Sequence, residues 1–221
     1  TSLTLPEIES QHAARVLRLA EGDMIEVADG KGTLFACRLT LAHSKHCGVE
    51  IVESIEAGTH WGNRIILCVA PTKNLDRIEW LAEKCTEMGI DRLIPIKCRY
   101  SERKELKTER LQKILVSAMK QSLKAVLPQL DEMTPVAEVI NMPFEGQKYI
   151  AYCDDAVDRR LLAKEYKPGE DVMILIGPEG DFSKEEVDAA LNNGFVPVSL
   201  GESRLRTETA AVSACFACHT L

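Results

Sequence analysis

The chain has 221 residues and a mass of 24.5 kDa, enough for one large domain or two modest ones, each with its own core. Hydrophobic residues at 45 % and charged residues at 28 %, with 13 glycines and 9 prolines, are ordinary globular proportions and exclude a disordered or fibrous chain. No apolar run approaches the roughly 20 residues that a membrane-spanning helix needs, and Thr1-Ser2-Leu3-Thr4-Leu5-Pro6-Glu7 lacks the layout of a signal peptide, so the expected location is the cytoplasm, with no membrane partner.

Residues 1 to about 60 read as β structure after a short helical start. Met24-Ile25-Glu26-Val27 alternates, Asp29-Gly30-Lys31-Gly32 is a tight-turn signal, and Thr33 to Leu39 and Gly48 to Val52 follow as short strands. This pattern predicts a small β-barrel or sandwich. His43-Ser44-Lys45-His46-Cys47 lies between two strands, where a solvated hairpin loop outweighs a metal set. Gly58-Thr59-His60-Trp61-Gly62-Asn63 then breaks the pattern, which places a domain boundary between 1–61 and 62–221.

Beyond the boundary, strands alternate with helices. A buried strand from Arg64 to Ala70 precedes a helix over Asn74 to Met88, whose Leu75, Ile78, Leu81, Ala82, Cys85 and Met88 share one face and which Gly89 closes. A strand at Leu93 to Lys97 leads to a basic helix over Thr108 to Val126, ended by Pro128. Further strands are expected at Lys148 to Cys153, Val172 to Ile176 and Phe195 to Leu200. The alternation predicts an α/β domain, a mainly parallel sheet with helices on both faces. The eight cysteines sit mostly in such apolar stretches and read as reduced, buried thiols. Cys215 and Cys218 share one helix face with only His219 beside them, so no metal is expected.

The net charge of -7 hides an asymmetry: Arg92 to Lys124 holds ten lysines and arginines against three glutamates, +7 locally, leaving -14 elsewhere. On charge alone a solvated surface outweighs a phosphate footprint.

Ligands of open α/β sheets collect at the carboxyl ends of strands. There, Gly177-Pro178-Glu179-Gly180-Asp181-Phe182 follows one strand, with Ser183 and Glu186 forming a capping box and Phe182 and Val187 a hydrophobic staple. Gly201-Glu202-Ser203-Arg204-Leu205-Arg206-Thr207-Glu208-Thr209-Ala210 follows the next and runs into the last helix. The two loops can line one pocket. Neither carries the lysine and serine of a P-loop or the three-glycine spacing of a dinucleotide fold, so no nucleoside triphosphate or NAD is indicated.

These segments, with His12-Ala13-Ala14-Arg15-Val16-Leu17-Arg18, Lys84-Cys85-Thr86-Glu87-Met88-Gly89-Ile90 and Ala118-Met119-Lys120-Gln121-Ser122, make the chain resemble RsmE-type ribosomal RNA uridine-N3 methyltransferases of the SPOUT superfamily. Asp181 stands where many members carry a third glycine, Leu111 where many have Trp, Lys124 at an arginine position, and the family's first short strand has no expected counterpart.

The resemblance implies a C-terminal domain with a deep trefoil knot, a PUA-like N-terminal barrel, S-adenosylmethionine as cofactor, and a homodimer that packs the apolar last helix. Its substrate would be 16S rRNA in the assembled small ribosomal subunit. Carried over by position, Leu175, Ile176, Gly177, Pro178, Glu179, Gly180, Leu200, Gly201, Leu205, Arg206, Thr209 and Ala210 would hold the cofactor. Arg206, Thr207 and Glu208 would be catalytic, with Glu208, or Glu179 through a water, removing the N3 proton and Arg206 stabilising the uracil oxygens. Arg15, Arg18, Lys73, Arg99, Arg103, Lys120, Gln121 and Lys124 would grip RNA. Competing readings are a SPOUT enzyme acting on transfer RNA or ribose, and a non-catalytic RNA-binding assembly factor.

Overall fold

The computed structural model describes residues 1–153 and 159–220. One unit comprises Thr1–Thr59 with Lys124–Val126, and a second comprises His60–Leu123 with the described residues from Leu127 onward.

In the first unit, β1 (Ser2–Thr4) precedes α1 (Glu7–Gln11), which runs directly into a π turn at His12–Val16; β2 (Met24–Ala28), β3 (Thr33–Leu41) and β4 (Gly48–Glu56) follow. The strands form an antiparallel sheet in the order β1-β4-β3-β2. A first short strand is therefore present, contrary to expectation: Ser2–Thr4 pairs with Glu50 to Gly48. The turn between β2 and β3 is built by Asp29, whose carboxylate accepts from Lys31 N at 2.7 Å and Thr33 N at 3.0 Å. Cys37, Leu39, Cys47 and Val49 alternate inward to form the core with Ala13. The loop between β3 and β4 brings the His43 and His46 rings to 3.9 Å at a tilt of 33° and turns the Cys47 thiol onto the backbone carbonyls of His43 and Ser10. Among the described residues no group of three or more His, Cys, Asp or Glu side chains is placed to hold a metal ion.

The second unit contains β5 (Ile65–Val69), α2 (Leu75–Met88), β6 (Arg92–Lys97), α3 (Thr108–Gln121), β7 (Gln129–Leu130), β8 (Thr134–Pro135) and α4 (Val136–Ile140). It continues with β9 (Gln147–Ala151), β10 (Arg160–Leu161), α5 (Leu162–Glu165), β11 (Val172–Ile176), α6 (Lys184–Asn192), β12 (Val196–Ser199) and α7 (Thr207–Thr220). Its strands run β10-β12-β9-β11-β5-β6-β7, with β8 on β6, and every pairing is parallel. Along β5, Ile65, Leu67 and Val69 pack with α2, α3 and α7, whereas Ile66 and Cys68 pack with α4 and α6. Both faces are thus buried, which is why β5 and β11 read as unbroken apolar runs.

The helix expected to reach Val126 ends at Gln121. The Ser122 hydroxyl turns back to the Ala118 carbonyl at 2.7 Å and Leu123 takes φ +54°, a conformation no helix interior accepts. Ala125 and Val126 instead bond the Gly30–Gly32 turn of the first unit. In the sheet, β11 lies between β5 and the earlier strand β9, and β12 lies on the far side of β9. Because these strands are parallel, their carboxyl ends open on one side.

Candidate functional site

At those carboxyl ends lies a pocket of about 440 Å³. The loop after β11 contributes Ile176, Gly177, Pro178, Glu179 and Asp181; β12 and the loop after it contribute Val198, Ser199, Leu200, Gly201, Arg204, Leu205 and Arg206, and α7 adds Thr207 and Ala210. Ala151, Tyr152 and Cys153 at the end of β9, Arg159, and Arg77 from the first turn of α2 complete it.

Local chemistry holds the loop after β11 at both ends. Ala70 N donates to the Ile176 carbonyl at 2.9 Å. At the other end Ser183 and Glu186 form the capping box, with Ser183 N to Glu186 Oε2 at 2.8 Å and Glu186 N to Ser183 Oγ at 3.3 Å. Phe182 and Val187 are buried together beside it. Between the ends, Asp181 sits at φ +63°, the left-handed region where glycine is free and aspartate is tolerated. Its Oδ1 accepts from Phe182 N at 2.8 Å and its Oδ2 from Cys153 N at 3.0 Å, so one carboxylate joins the loops after β9 and β11. The Thr207 hydroxyl donates to the Gly177 carbonyl at 3.0 Å, joining the loop after β11 to α7.

Charge is concentrated around the pocket. Glu208 is 8 % exposed; its Oε1 lies 3.5 Å from Arg77 Nε, while its buried Oε2 has no hydrogen-bond partner among the described residues. Glu179 Oε1 accepts from Lys73 N at 3.1 Å, and the Arg103 guanidinium holds that segment by donating to the carbonyls of Thr72 at 3.0 Å and Lys73 at 2.5 Å. Arg159 donates to the Tyr152 carbonyl at 3.0 Å. Arg204 and Arg206 are exposed and meet no acidic partner among the described residues. Burial pushes the Cys153 thiol up, with Asp181 adding to the effect and Arg159 and Arg204 opposing it.

A family model for an RNA methyltransferase domain matches residues 59–219, and one for an RNA methyltransferase PUA domain matches residues 5–52. The ribosomal RNA small subunit methyltransferase E of Aquifex aeolicus is 30 % identical over 224 residues, covering 96 % of this chain and 91 % of that protein. The chain belongs to this methyltransferase family. The crystal structure of a probable rRNA methyltransferase from Porphyromonas gingivalis superposes with a TM-score of 0.94 at 46 % identity, over 100 % of this chain and 93 % of that one. The ribosomal RNA small subunit methyltransferase E of Neisseria gonorrhoeae, bound to S-adenosyl methionine, superposes with a TM-score of 0.84 at 27 % identity, over 98 % and 90 %.

Of the residues expected at a cofactor site in such a methyltransferase, Ile176, Gly177, Pro178, Glu179, Leu200, Gly201, Leu205, Arg206 and Ala210 line the pocket. Leu175, Gly180 and Thr209 do not. Strand alternation turns Leu175 into the core beside Phe182; Gly180 faces Tyr100, whose Cβ lies 3.0 Å from where a side chain would start; Thr209 is exposed on α7. Thr207 lines the pocket, while Glu208 lies behind Arg77. Sequence reasoning missed the β9 end and Arg77. The same carboxyl-end rule would have reached Tyr152 and Cys153 had the position of β9 next to β11 and β12 been known.

The expected RNA contacts fall on both units. Arg15, whose guanidinium reaches Ser44 Oγ at 3.5 Å, Arg18 at φ +56° and Lys124 belong to the first. Lys73, Arg99, Arg103, Lys120 and Gln121 belong to the second. Part of the basic stretch is matched locally: Arg92 pairs with Asp131 at 2.9 and 2.5 Å, Arg110 with Glu79 at 2.6 Å and Arg99 with Glu185 at 3.8 Å. Arg103 acts on backbone carbonyls.

Proposed function

We propose that this chain transfers a methyl group from S-adenosylmethionine to N3 of one uridine of 16S rRNA in the assembled small ribosomal subunit, as a cytoplasmic homodimer. The observation that carries the reading is the Thr207 to Gly177 hydrogen bond of 3.0 Å, which makes the two sequence-identified loops one pocket wall. The residues fit that donor. Ile176, Val198, Leu200, Leu205 and Ala210 offer an apolar face to a purine, Gly177 and Gly201 bring bare backbone to the pocket, Glu179 and Asp181 suit a cation, and arginines suit a carboxylate.

When bound, S-adenosylmethionine supplies a methyl already activated on a positive sulfur. The chain's own work is orientation and exclusion of water. Glu179, which lines the pocket, takes the N3 proton through a water. Glu208 holds Arg77 in place, and Thr207 holds the loops together. Arg206 at the rim stabilises negative charge on the uracil oxygens.

The N3 edge is normally paired, so the uridine must leave its helix, which demands a wide grip on the backbone. Arg15, Arg18 and Lys124 of the first unit and Lys73, Arg99, Lys120 and Gln121 of the second supply it. The placement of β11 between β5 and β9, with β12 beyond β9 and α7 back against β5 and α2, supports a chain threaded into a trefoil knot.

The test is methyl transfer from labelled S-adenosylmethionine to small subunits from cells lacking the enzyme, followed by mass spectrometry of nucleosides. One 3-methyluridine per subunit is expected. Donor binding without incorporation overturns the substrate, and 2′-O-methylation, seen as resistance to alkaline cleavage, overturns the acceptor atom. Failure to bind the donor favours the assembly factor.

A further inference from the structure

We infer that Arg204 is a phosphodiester-binding residue at the rim of the donor pocket, through which binding of the RNA strand and affinity for the methyl donor are coupled. The inference rests on the reading of this pocket as the donor site. Among the described residues four arginines line it, Arg77, Arg159, Arg204 and Arg206, against two acids, Glu179 and Asp181. Counting Glu208 behind Arg77, the described residues of the site carry one positive charge more than negative. S-adenosylmethionine itself is a net monocation at neutral pH, from a sulfonium, an ammonium and a carboxylate. Filling the pocket therefore increases the imbalance.

The arginines are not equivalent. Arg77 lies against Glu208 and Arg159 is fixed on the Tyr152 carbonyl. Arg204 and Arg206 are exposed without an acidic partner among the described residues, and the single carboxylate of the donor can satisfy only one arginine. With Arg206 directed at the uracil oxygens, Arg204 is left facing solvent at the pocket rim. A guanidinium there is matched in charge and fork geometry by a phosphate oxygen pair, and the anion that arrives with the acceptor is the phosphodiester beside the target nucleotide. Once it is seated, the site's own surplus of one charge is offset and a cationic ligand in the pocket is less opposed. By linkage the coupling is reciprocal.

The test is equilibrium binding of two non-reactive ligands, sinefungin, which keeps the positive charge, and S-adenosylhomocysteine, which lacks the sulfonium. Each is titrated into wild type, Arg204→Gln and Arg204→Lys, with and without saturating small ribosomal subunits. Subunits are expected to tighten sinefungin binding to wild type on the order of tenfold, and to tighten S-adenosylhomocysteine less. In Arg204→Gln the gain should fall below about threefold, and Arg204→Lys should recover part of it. An undiminished gain in Arg204→Gln overturns the inference. A roughly tenfold loss of ligand affinity without subunits also overturns it, because Arg204 would then hold the ligand's carboxylate. If wild type binds neither ligand and methylates no subunit, the reading of the pocket itself has failed. If it does both and only the Arg204 dependence is missing, the coupling alone has failed.

Discussion

Asp181 illustrates how one residue can answer both a backbone and a binding requirement. At φ +63°, an alanine there costs roughly 1–2 kcal/mol that glycine avoids. Glycine, however, cannot accept from Cys153 N and Phe182 N. Asp181→Gly is therefore expected to keep thermal stability close to wild type and lose several-fold in donor affinity by calorimetry. Asp181→Ala should show the same affinity loss and melt lower, by about 1 kcal/mol relative to the glycine variant. Equal melting temperatures would show that the left-handed geometry is not retained. The sequence flagged Asp181 as a departure from glycine, but the acid's value lies in its bond to a loop distant in sequence, and nothing local reports that bond. Thr207→Val, nearly isosteric, leaves the Gly177 carbonyl without its partner, at about 1–3 kcal/mol, and should weaken the donor while preserving the helical signal in circular dichroism. Cys153 is exposed while the other seven cysteines are buried. Partial desolvation by the neighbouring pocket wall, then Asp181, raises its pKa, so alkylation should be slow at pH 7, accelerate as the pH rises past 9, and be blocked by bound donor.

At the scale of elements, Arg103 and Lys120 belong to the same basic stretch, and charge counting treats them alike. The structure separates them. Arg103 is bound to the carbonyls of Thr72 and Lys73, the residue whose N–H meets Glu179, whereas Lys120 lies exposed near the end of α3. Arg103→Gln is expected to lower donor affinity several-fold with little change in the salt slope of RNA binding. Lys120→Gln should lower RNA affinity and flatten that slope by about 0.7–0.9. Identical slopes for Lys120→Gln and wild type would remove Lys120 from the phosphate contacts. Long periodic elements were legible in the sequence: Leu75–Met88, with Asn74 accepting from Asp76 N at 2.9 Å as its cap, and the unbroken apolar run of β11. The two-residue strands Gln129–Leu130, Thr134–Pro135 and Arg160–Leu161 were not, because two residues carry no period and their pairing is set by neighbours already in place.

At the scale of the whole molecule, strand order was the least legible property. Alternation of strands and helices implies a parallel sheet, but no residue of β9 announces that β11 will lie on one side of it and β12 on the other. The proposed dimer makes a demand on side chains that can be checked. α7 packs Ala211, Ala214, Cys215 and Cys218 against its own unit, yet Phe216 on the same helix is 57 % exposed. An exposed aromatic ring on an otherwise packed helix fits a second buried face, and the proposed dimer supplies one. Phe216→Asp adds no buried charge within a single chain, so its effect on protomer stability should stay within about 0.5 kcal/mol. Across a dimer contact it sets two carboxylates into an apolar interface, which is strongly unfavourable. Sedimentation equilibrium is expected to return twice the 24.5 kDa chain mass for wild type and close to one chain mass for the variant. A variant that sediments as wild type would exclude this face of α7 from the contact, and a monomeric wild type would remove the dimer from the proposed function while leaving the pocket, which lies within one chain, unaffected.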